Sequence, residues 1–113
     1  MDWINLTEEQ QLQQINEQSK QHPVVIFKYS HRCGTCDIAQ RRLERATPPP
    51  NTPFYFLDLI RYRSLSNKVA QDYHVHHESP QILIIKDGAC IYEDSHTGIN
   101  MQDIYEQLGI GNL

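Results

Sequence analysis

The feature that most constrains this chain is a Cys-Gly-Thr-Cys motif, Cys33 to Cys36, which follows a short apolar run from Val24 to Phe27. The β-branched and aromatic run predicts a buried strand, and the residues after the motif have helical spacing. The motif therefore lies where a strand ends and a helix begins. A helix N-terminus has free N–H groups and a partial positive charge, which stabilise a thiolate. We expect the pKa of the first cysteine to fall, which would make it a nucleophile at neutral pH.

The three cysteines are predicted to have different roles. Cys33 is the expected nucleophile, and the flanking His31 and Arg32 should also favour its thiolate. Cys36, one helical turn further on, is the expected resolving thiol, more buried and with a higher pKa. Arg32 either binds a carboxylate of a small thiol substrate or only tunes Cys33. Cys90 lies in a predicted strand and is interpreted as a small buried hydrophobic residue.

A cluster of histidines leaves a second interpretation open. His74, His76 and His77 precede Pro80, and two of them could complete a zinc site with the C-x-x-C pair. Histidine is also favoured near the C-terminal end of a helix for electrostatic reasons, which needs no metal. We expect neither a metal nor a cofactor, and a metal-binding module remains the alternative.

Composition excludes several classes of protein. The net charge of −4 and the absence of a Lys/Arg cluster argue against nucleic-acid binding. No apolar run reaches the roughly 18 residues that a membrane span needs, and the segment Met1–Leu6 has no basic region of a signal peptide. Three cysteines in 113 residues are too few for a secreted disulfide scaffold. We expect a cytoplasmic protein with one domain, residues 1–113.

The pattern of apolar residues and breakers predicts the order α-β-α-β-α-β-β-α. The predicted elements are a helix from about Glu8 to Ser19, a strand from Val24 to Tyr29, a helix from Cys33 to about Arg45, a proline-rich loop over 47–53, a strand from Phe54 to Leu59, a helix that begins at Ser64, strands from Gln81 to Ile85 and from Ala89 to Glu93, and a helix after Asn100 that ends at Gly109. The first two strands should be parallel, and the last two should form a hairpin at Asp87-Gly88. A four-stranded mixed α/β sheet with helices on both faces follows.

Three polar residues are predicted to cap helices. Thr7 should cap the first helix and form a capping box with Gln10. Ser64 and Asn100 should cap the third and fourth helices.

This order, with C-x-x-C opening the second helix and Pro80 just before the third strand, resembles the thioredoxin-like fold. The resemblance implies that the Ser79–Pro80 bond is cis, and that Ser79 and Pro80 lie beside the sulfurs and form the edge against which a substrate binds. Four stretches are more closely similar to the YtxJ-type bacilliredoxins, small thioredoxin-like proteins of the bacillithiol system. These stretches are Phe27–Cys33, His77–Gln81, Ile84–Gly88 and Ser95–His96.

The chain departs from both families near the motif. The bacilliredoxins that it resembles typically keep one cysteine in a Cys-Pro-Ile-Ser-like motif, and Cys36 stands where their serine is. Ordinary thioredoxins have Trp where this chain has Arg32, and a buried Asp where it has Phe27. The acid that assists proton transfer to the second cysteine is therefore missing. His96 matches a family position, but its sequence context indicates no role.

The resemblance and the motif together predict a thiol–disulfide oxidoreductase. Its expected substrates are protein disulfides, or mixed disulfides between a protein and a low-molecular-weight thiol. A small thiol or a reductase would recycle it. Besides the metal-binding module, a non-catalytic thioredoxin-like adaptor remains an alternative.

Overall fold

The structure is a computed structural model that describes residues 1–111. Its elements are β1 (Trp3–Asn5), α1 (Gln10–Gln18), β2 (Val24–Tyr29), α2 (Gly34–Arg45), β3 (Phe54–Asp58), α3 (Arg63–Asp72), β4 (Gln81–Lys86), β5 (Ala89–Ser95), a single 3₁₀ turn (His96–Gly98) and α4 (Met101–Gln107). All the helices and strands predicted from the sequence are present. Within residues 1–111, every helix is too short or too polar to cross a lipid bilayer.

The strands form one mixed sheet in the order β1-β3-β2-β4-β5. As predicted, β2 and β3 are parallel, and β4 and β5 form an antiparallel hairpin. At the turn between them, Asp87 and Gly88 have φ angles of 52° and 74°. Two consecutive positive φ angles match the right-handed twist of the flanking strands, which is why an Asp-Gly pair occurs there.

Two apolar cores cover the two faces of the sheet. Residues of α1 and α3 pack on one face, and residues of α2 and α4 pack on the other. Successive residues of β2 alternate between these cores: Val24 and Ile26 belong to the first, Val25 and Phe27 to the second. The apolar run from Val24 to Phe27 is continuous because β2 is the central strand of the sheet and is buried on both faces.

The sheet has five strands where the sequence predicted four. The additional strand is β1, which pairs in parallel with the edge of β3. Its Trp3 ring stacks on Phe27 at a centroid distance of 5.5 Å and meets Phe54 and Phe56 edge-on. A three-residue strand is too short to show an alternating pattern, so tertiary packing of Trp3 decides its conformation.

The predicted capping box of the first helix is wrong. The helix begins at Gln10, its N-cap is Glu9, and no side chain caps it. Gln11 takes the role expected of the box: its Oε1 accepts hydrogen bonds from the backbone N–H groups of Thr7 (2.7 Å) and Glu8 (3.0 Å). These two N–H groups precede the helix. In its first turn, the N–H groups of Gln11 and Leu12 donate to the carbonyls of Glu8 (3.1 Å) and Glu9 (2.9 Å), so Thr7 is not needed as a cap.

The other two caps give one correction and one confirmation. Ser64 lies inside the first turn of α3, which starts at Arg63, so it does not cap that helix. Asn100 does cap α4, since its Oδ1 accepts the backbone N–H of Asp103 at 2.9 Å. Gly109 follows α4 with φ of 70°, the left-handed conformation expected after a helix end.

Candidate active site

The two cysteines of the motif lie at the first turn of α2. Cys33 is the N-cap residue, with an extended backbone conformation, and the helix begins at Gly34. A turn after β2 brings the chain there, because the Cys33 N–H donates to the carbonyl of Ser30 at 3.1 Å. The Cys33 side chain is partly exposed, whereas Cys36 is 0% exposed. Both are free thiols.

The surroundings of Cys33 favour its thiolate. The hydroxyl of Thr35, 3.0 Å from Cys33 Sγ, is the largest cause that lowers the pKa of Cys33. Partial burial opposes this shift, and hydrogen bonds from the Cys36 thiol and from the backbone N–H groups of Cys36 and Thr35 reinforce it. These N–H groups belong to the first turn of the helix, where a thiolate is stabilised; that of Cys36 also donates to the Cys33 carbonyl at 3.1 Å.

The flanking residues do not contribute as the sequence suggested. His31 and Arg32 are both exposed, and neither is among the groups that shift the pKa of Cys33. Arg32 forms a hydrogen bond through its backbone, since its N–H donates to Ser30 Oγ at 3.2 Å. The Arg32 guanidinium is therefore free to meet a ligand from solvent.

Cys36 has the opposite electrostatic character. Burial is the largest cause that raises the pKa of Cys36, and the neighbouring Cys33 raises it further. Two hydrogen bonds act against this, one from Ser79 Oγ at 3.3 Å and one from the Ser30 N–H at 3.4 Å. The motif thus combines an accessible thiol with a lowered pKa and a buried thiol with a raised pKa.

The segment before β4 faces both sulfurs. The Ser79–Pro80 peptide bond is cis, as the resemblance implied. The Cys33 thiol donates to the Ser79 carbonyl at 3.8 Å, and the Ser79 hydroxyl contacts Cys36 Sγ. Ser79 therefore forms hydrogen bonds with both cysteines. Pro80, which follows it, is buried.

Phe27 and Asp37 are two residues near the motif with different surroundings. Phe27 is fully buried in the core on the α2 side of the sheet. Asp37 of α2 is engaged instead by Tyr29, whose hydroxyl donates to Asp37 Oδ1 at 2.6 Å. This hydrogen bond is the main cause that raises the pKa of Tyr29 to about 12, and the charge of Cys36 adds to it. No local sequence pattern indicates this pair.

The histidines do not gather around the sulfurs. His77 Nδ1 lies 2.7 Å from Lys28 Nζ, and His96 Nε2 lies 2.9 Å from Glu78 Oε2. His76 is exposed, with its Nε2 3.9 Å from Glu78 Oε1. His74, which is also exposed, has a positive φ of 56°.

The alternative zinc site is therefore not assembled. Within residues 1–111, no three His, Cys, Asp or Glu side chains lie close enough together to hold a metal ion. The sulfur atoms of Cys33 and Cys36 both contact Ser79 instead.

Cys90 lies apart from the motif. It is in β5 and packs against the core on the α1 and α3 side of the sheet. Burial raises the pKa of Cys90. The helix α2, which carries the motif, covers the other face of the sheet. Cys90 is partly rather than fully buried, so its interpretation as a small buried hydrophobic residue holds only in part.

A mixed sheet covered on both faces, a C-x-x-C motif at a helix start and a cis-proline segment facing the sulfurs define a thioredoxin-fold protein. Solved structures agree. A candidate oxidoreductase with a thioredoxin fold is 26% identical, with a TM-score of 0.82 over 93% of this chain and 92% of that one. Thioredoxin from Fasciola hepatica is 22% identical, with a TM-score of 0.70 over 93% and 95% of the two chains. The short form of thioredoxin f from spinach chloroplast is 16% identical, with a TM-score of 0.70 over 95% and 90%.

A family model described as monothiol bacilliredoxin BrxC matches residues 4–104. The chain belongs to the monothiol bacilliredoxin family, a family of thiol redox proteins. Its motif contains two cysteines, Cys33 and Cys36.

Proposed function

We propose that this protein is a thiol–disulfide oxidoreductase that uses both cysteines of its motif. The observation that carries the proposal is the asymmetry of the pair. Cys33 is partly exposed and has a lowered pKa, while Cys36 is buried and has a raised one. An exposed thiolate beside a protected second thiol suits a reaction in which one attacks first and the other follows.

In the first step, the Cys33 thiolate attacks one sulfur of a substrate disulfide. A Cys33–substrate disulfide forms, the original S–S bond breaks, and the other substrate sulfur leaves as a thiolate that takes a proton from solvent. Where the substrate is a protein capped by a small thiol such as bacillithiol, attack on the small-thiol sulfur releases the reduced protein at once.

In the second step, the Cys36 thiolate attacks Cys33 Sγ. The remaining substrate sulfur leaves as a thiolate, and a Cys33–Cys36 disulfide remains. The two protein thiols have then supplied the two electrons that reduce the substrate. The Ser79 hydroxyl and the Ser30 N–H, which contact Cys36 Sγ, are placed to stabilise its thiolate in this step. A small thiol or a reductase must return the oxidised protein to the dithiol form.

Substrate binding is assigned to the edge around the sulfurs. Ser79 contacts both cysteines, and Pro80 follows it, so a peptide or small thiol bonded to Cys33 would lie against this segment. Arg32 is exposed next to Cys33 and suits a substrate carboxylate. A reducing compartment such as the cytoplasm suits a chain whose three cysteines are all free thiols.

The proposal is tested by separating the two steps. A Cys36→Ser variant should still remove a small-thiol cap from a protein, because the cap is simply transferred to Cys33. With pre-reduced protein and no other reductant, it should lose the complete reduction of one equivalent of protein disulfide, because the mixed disulfide is no longer resolved internally. Cys33→Ser should lose both reactions. The two reactions are assayed side by side with the wild type, without added small thiol.

Cys90→Ser is the matched control, since it removes a thiol on the other side of the sheet and should leave both rates unchanged. If Cys36→Ser reduces protein disulfides at the wild-type rate, Cys36 is not the resolving residue. If the wild-type protein catalyses neither reaction, the chain is a non-catalytic member of its fold.

A further inference from the structure

A lysine is buried in the sheet directly behind the candidate active site. Lys28 is 0% exposed, and it lies on the same face of β2 as Val24 and Ile26, opposite to the face that α2 covers. Within residues 1–111 it forms no ion pair with an Asp or Glu. Its side-chain hydrogen-bond partner is His77, with Nζ and Nδ1 2.7 Å apart. A buried ammonium without a carboxylate is costly, so its presence calls for a reason.

The charges around this lysine compensate its burial only in part. Burial is the largest cause that lowers the pKa of Lys28 to about 8; Arg63 of α3 lowers it further, and Glu78 acts in the opposite direction. The pKa of His77 is also lowered, first by burial and then by Lys28 and Arg63, with Glu78 opposing and His76 adding to the shift. At neutral pH, the favoured arrangement is a charged Lys28 that donates to the unprotonated Nδ1 of a neutral His77.

The partner of Lys28 belongs to the segment that contacts the sulfurs. Two residues after His77, the carbonyl and hydroxyl of Ser79 contact Cys33 and Cys36. Behind the sulfurs, His77 of this segment forms a hydrogen bond with Lys28. The segment also forms a hydrogen bond with Gln81, the cross-strand neighbour of Lys28, whose amide donates to the His76 carbonyl at 2.9 Å.

The polar groups behind the segment form a buried cluster. Gln81 is 0% exposed, and its amide also donates to Glu93 of β5 at 3.1 Å. Its Oε1 is buried without a partner in the part of the chain that the structure describes. Glu78, on the outer side, binds His96. Lys28 and Gln81 thus support one side of the segment from His76 to Pro80, and the other side of this segment faces the reacting sulfurs.

We propose that Lys28 is a positioning residue that, through His77, holds Ser79 against Cys36 during the resolving step. This inference rests on the proposed function, because it concerns the step in which Cys36 attacks. Lys28 does not touch the sulfurs or the substrate. Its effect is to fix the ring of His77, and with it the path of the chain from His77 to Pro80. The buried charge of Lys28 lowers the stability of the fold. It is retained because a charged ammonium is a strong hydrogen-bond donor, which the unprotonated Nδ1 of the neutral His77 ring needs.

The test resolves the two thiol steps in one experiment, in a Cys90→Ser background. The reduced protein is mixed rapidly with an aromatic disulfide reagent that releases a coloured thiolate. The first equivalent reports the attack of Cys33, and the second reports the attack of Cys36 on the mixed disulfide. We expect Lys28→Met to leave the first phase within about twofold and to slow the second about tenfold, the loss expected for one hydrogen bond to a charged group. Its stability should not fall, because a buried unpaired charge is removed.

A spectroscopic readout separates positioning from general stability. In the ¹⁵N spectrum of the wild type at pH 7, His77 should carry its proton on Nε2 and have an unprotonated Nδ1. In Lys28→Met this preference should weaken because the donor is gone. Ile26→Val, on the same strand and face, is the control for a small loss of core packing. It should change neither the second phase nor the His77 tautomer.

The outcomes distinguish this inference from the function on which it rests. A wild-type protein that releases only one equivalent has no resolving step, and the proposed function fails. A wild type with two phases and a Lys28→Met variant whose second phase is equally fast would overturn the role of Lys28 alone. A wild-type His77 with its proton on Nδ1 would overturn the geometry of the support.

Discussion

The burial of Lys28 makes a quantitative prediction about stability that does not depend on catalysis. Folding moves its ammonium from water into the sheet, next to Arg63 and without a carboxylate partner in residues 1–111, and burial lowers the pKa of Lys28 from 10.5 to about 8. A shift of this size is worth about 3 kcal/mol at 1.36 kcal/mol per pKa unit. Lys28→Met fills similar space with an unbranched apolar chain and removes that cost.

The sign of the pH dependence follows from proton binding. Below pH 8, Lys28 is protonated in both the folded and the unfolded chain, so the folded protein bears the full cost of the buried charge. Between pH 8 and 10.5, the unfolded chain holds the proton and the folded chain does not, so stability rises with pH. The advantage of Lys28→Met over the wild type should therefore be largest near pH 7. It should shrink by about 2 kcal/mol by pH 9.5.

Urea denaturation measures this difference. Trp3 is the one tryptophan of the chain and packs against Phe27, so its fluorescence reports unfolding. Both proteins are kept reduced, and their free energies of unfolding are compared at pH 7, 8 and 9.5 with equal m-values as the check on two-state behaviour. Lys86→Met is the matched control. Its ammonium touches water, and the variant retains Lys28, so it should follow the wild-type pH dependence. A difference between Lys28→Met and wild type that stays flat from pH 7 to 9.5 would refute the reasoning.

Two further predictions concern the cysteines. In pulse alkylation at neutral pH, Cys33 should be labelled well before Cys36 and Cys90, because its pKa is lowered and theirs are raised; earlier labelling of Cys36 would invert the assigned roles. Mild oxidation followed by peptide mapping should give a Cys33–Cys36 disulfide and a free Cys90, since Cys90 packs on the other face of the sheet. An intramolecular disulfide that contains Cys90 would contradict the placement of β5.

Elements with a strong local pattern could be predicted from the sequence. The buried run of β2, the Asp-Gly hairpin and the Asn100 cap each have a physical cause within a few residues, and each is present. The position of Cys33 at the start of α2 could be predicted for the same reason. The strand β1 was not, because three residues show no periodicity and its stability comes from Trp3 against distant aromatic rings.

The side-chain contacts within the candidate active site were harder to predict from the sequence than the position of the site in the fold. Local sequence suggests that Arg32 and His31 tune Cys33, but a hydroxyl two residues later, that of Thr35, has the larger effect. Likewise, the histidine cluster suggested a metal site, whereas His77 forms a hydrogen bond with Lys28, 49 positions away in sequence. Hydrogen bonds between distant segments depend on side-chain directions that no short pattern specifies.

In the proposed reaction, the second cysteine resolves the mixed disulfide, and its surroundings set how fast it does so. Without a second thiol, the mixed disulfide on the first cysteine is resolved only by an external thiol. In this chain, burial raises the pKa of Cys36, and the buried Phe27 is apolar and cannot take part in proton transfer. The groups that favour its thiolate are the Ser79 hydroxyl and the Ser30 N–H. Because burial raises the pKa of Cys36, we expect its attack to be slower than the first attack by Cys33. If the proposed function is correct, such a site would favour the removal of small-thiol caps, which is complete after one step, and the reduction of protein disulfides would depend on how firmly Ser79 is held.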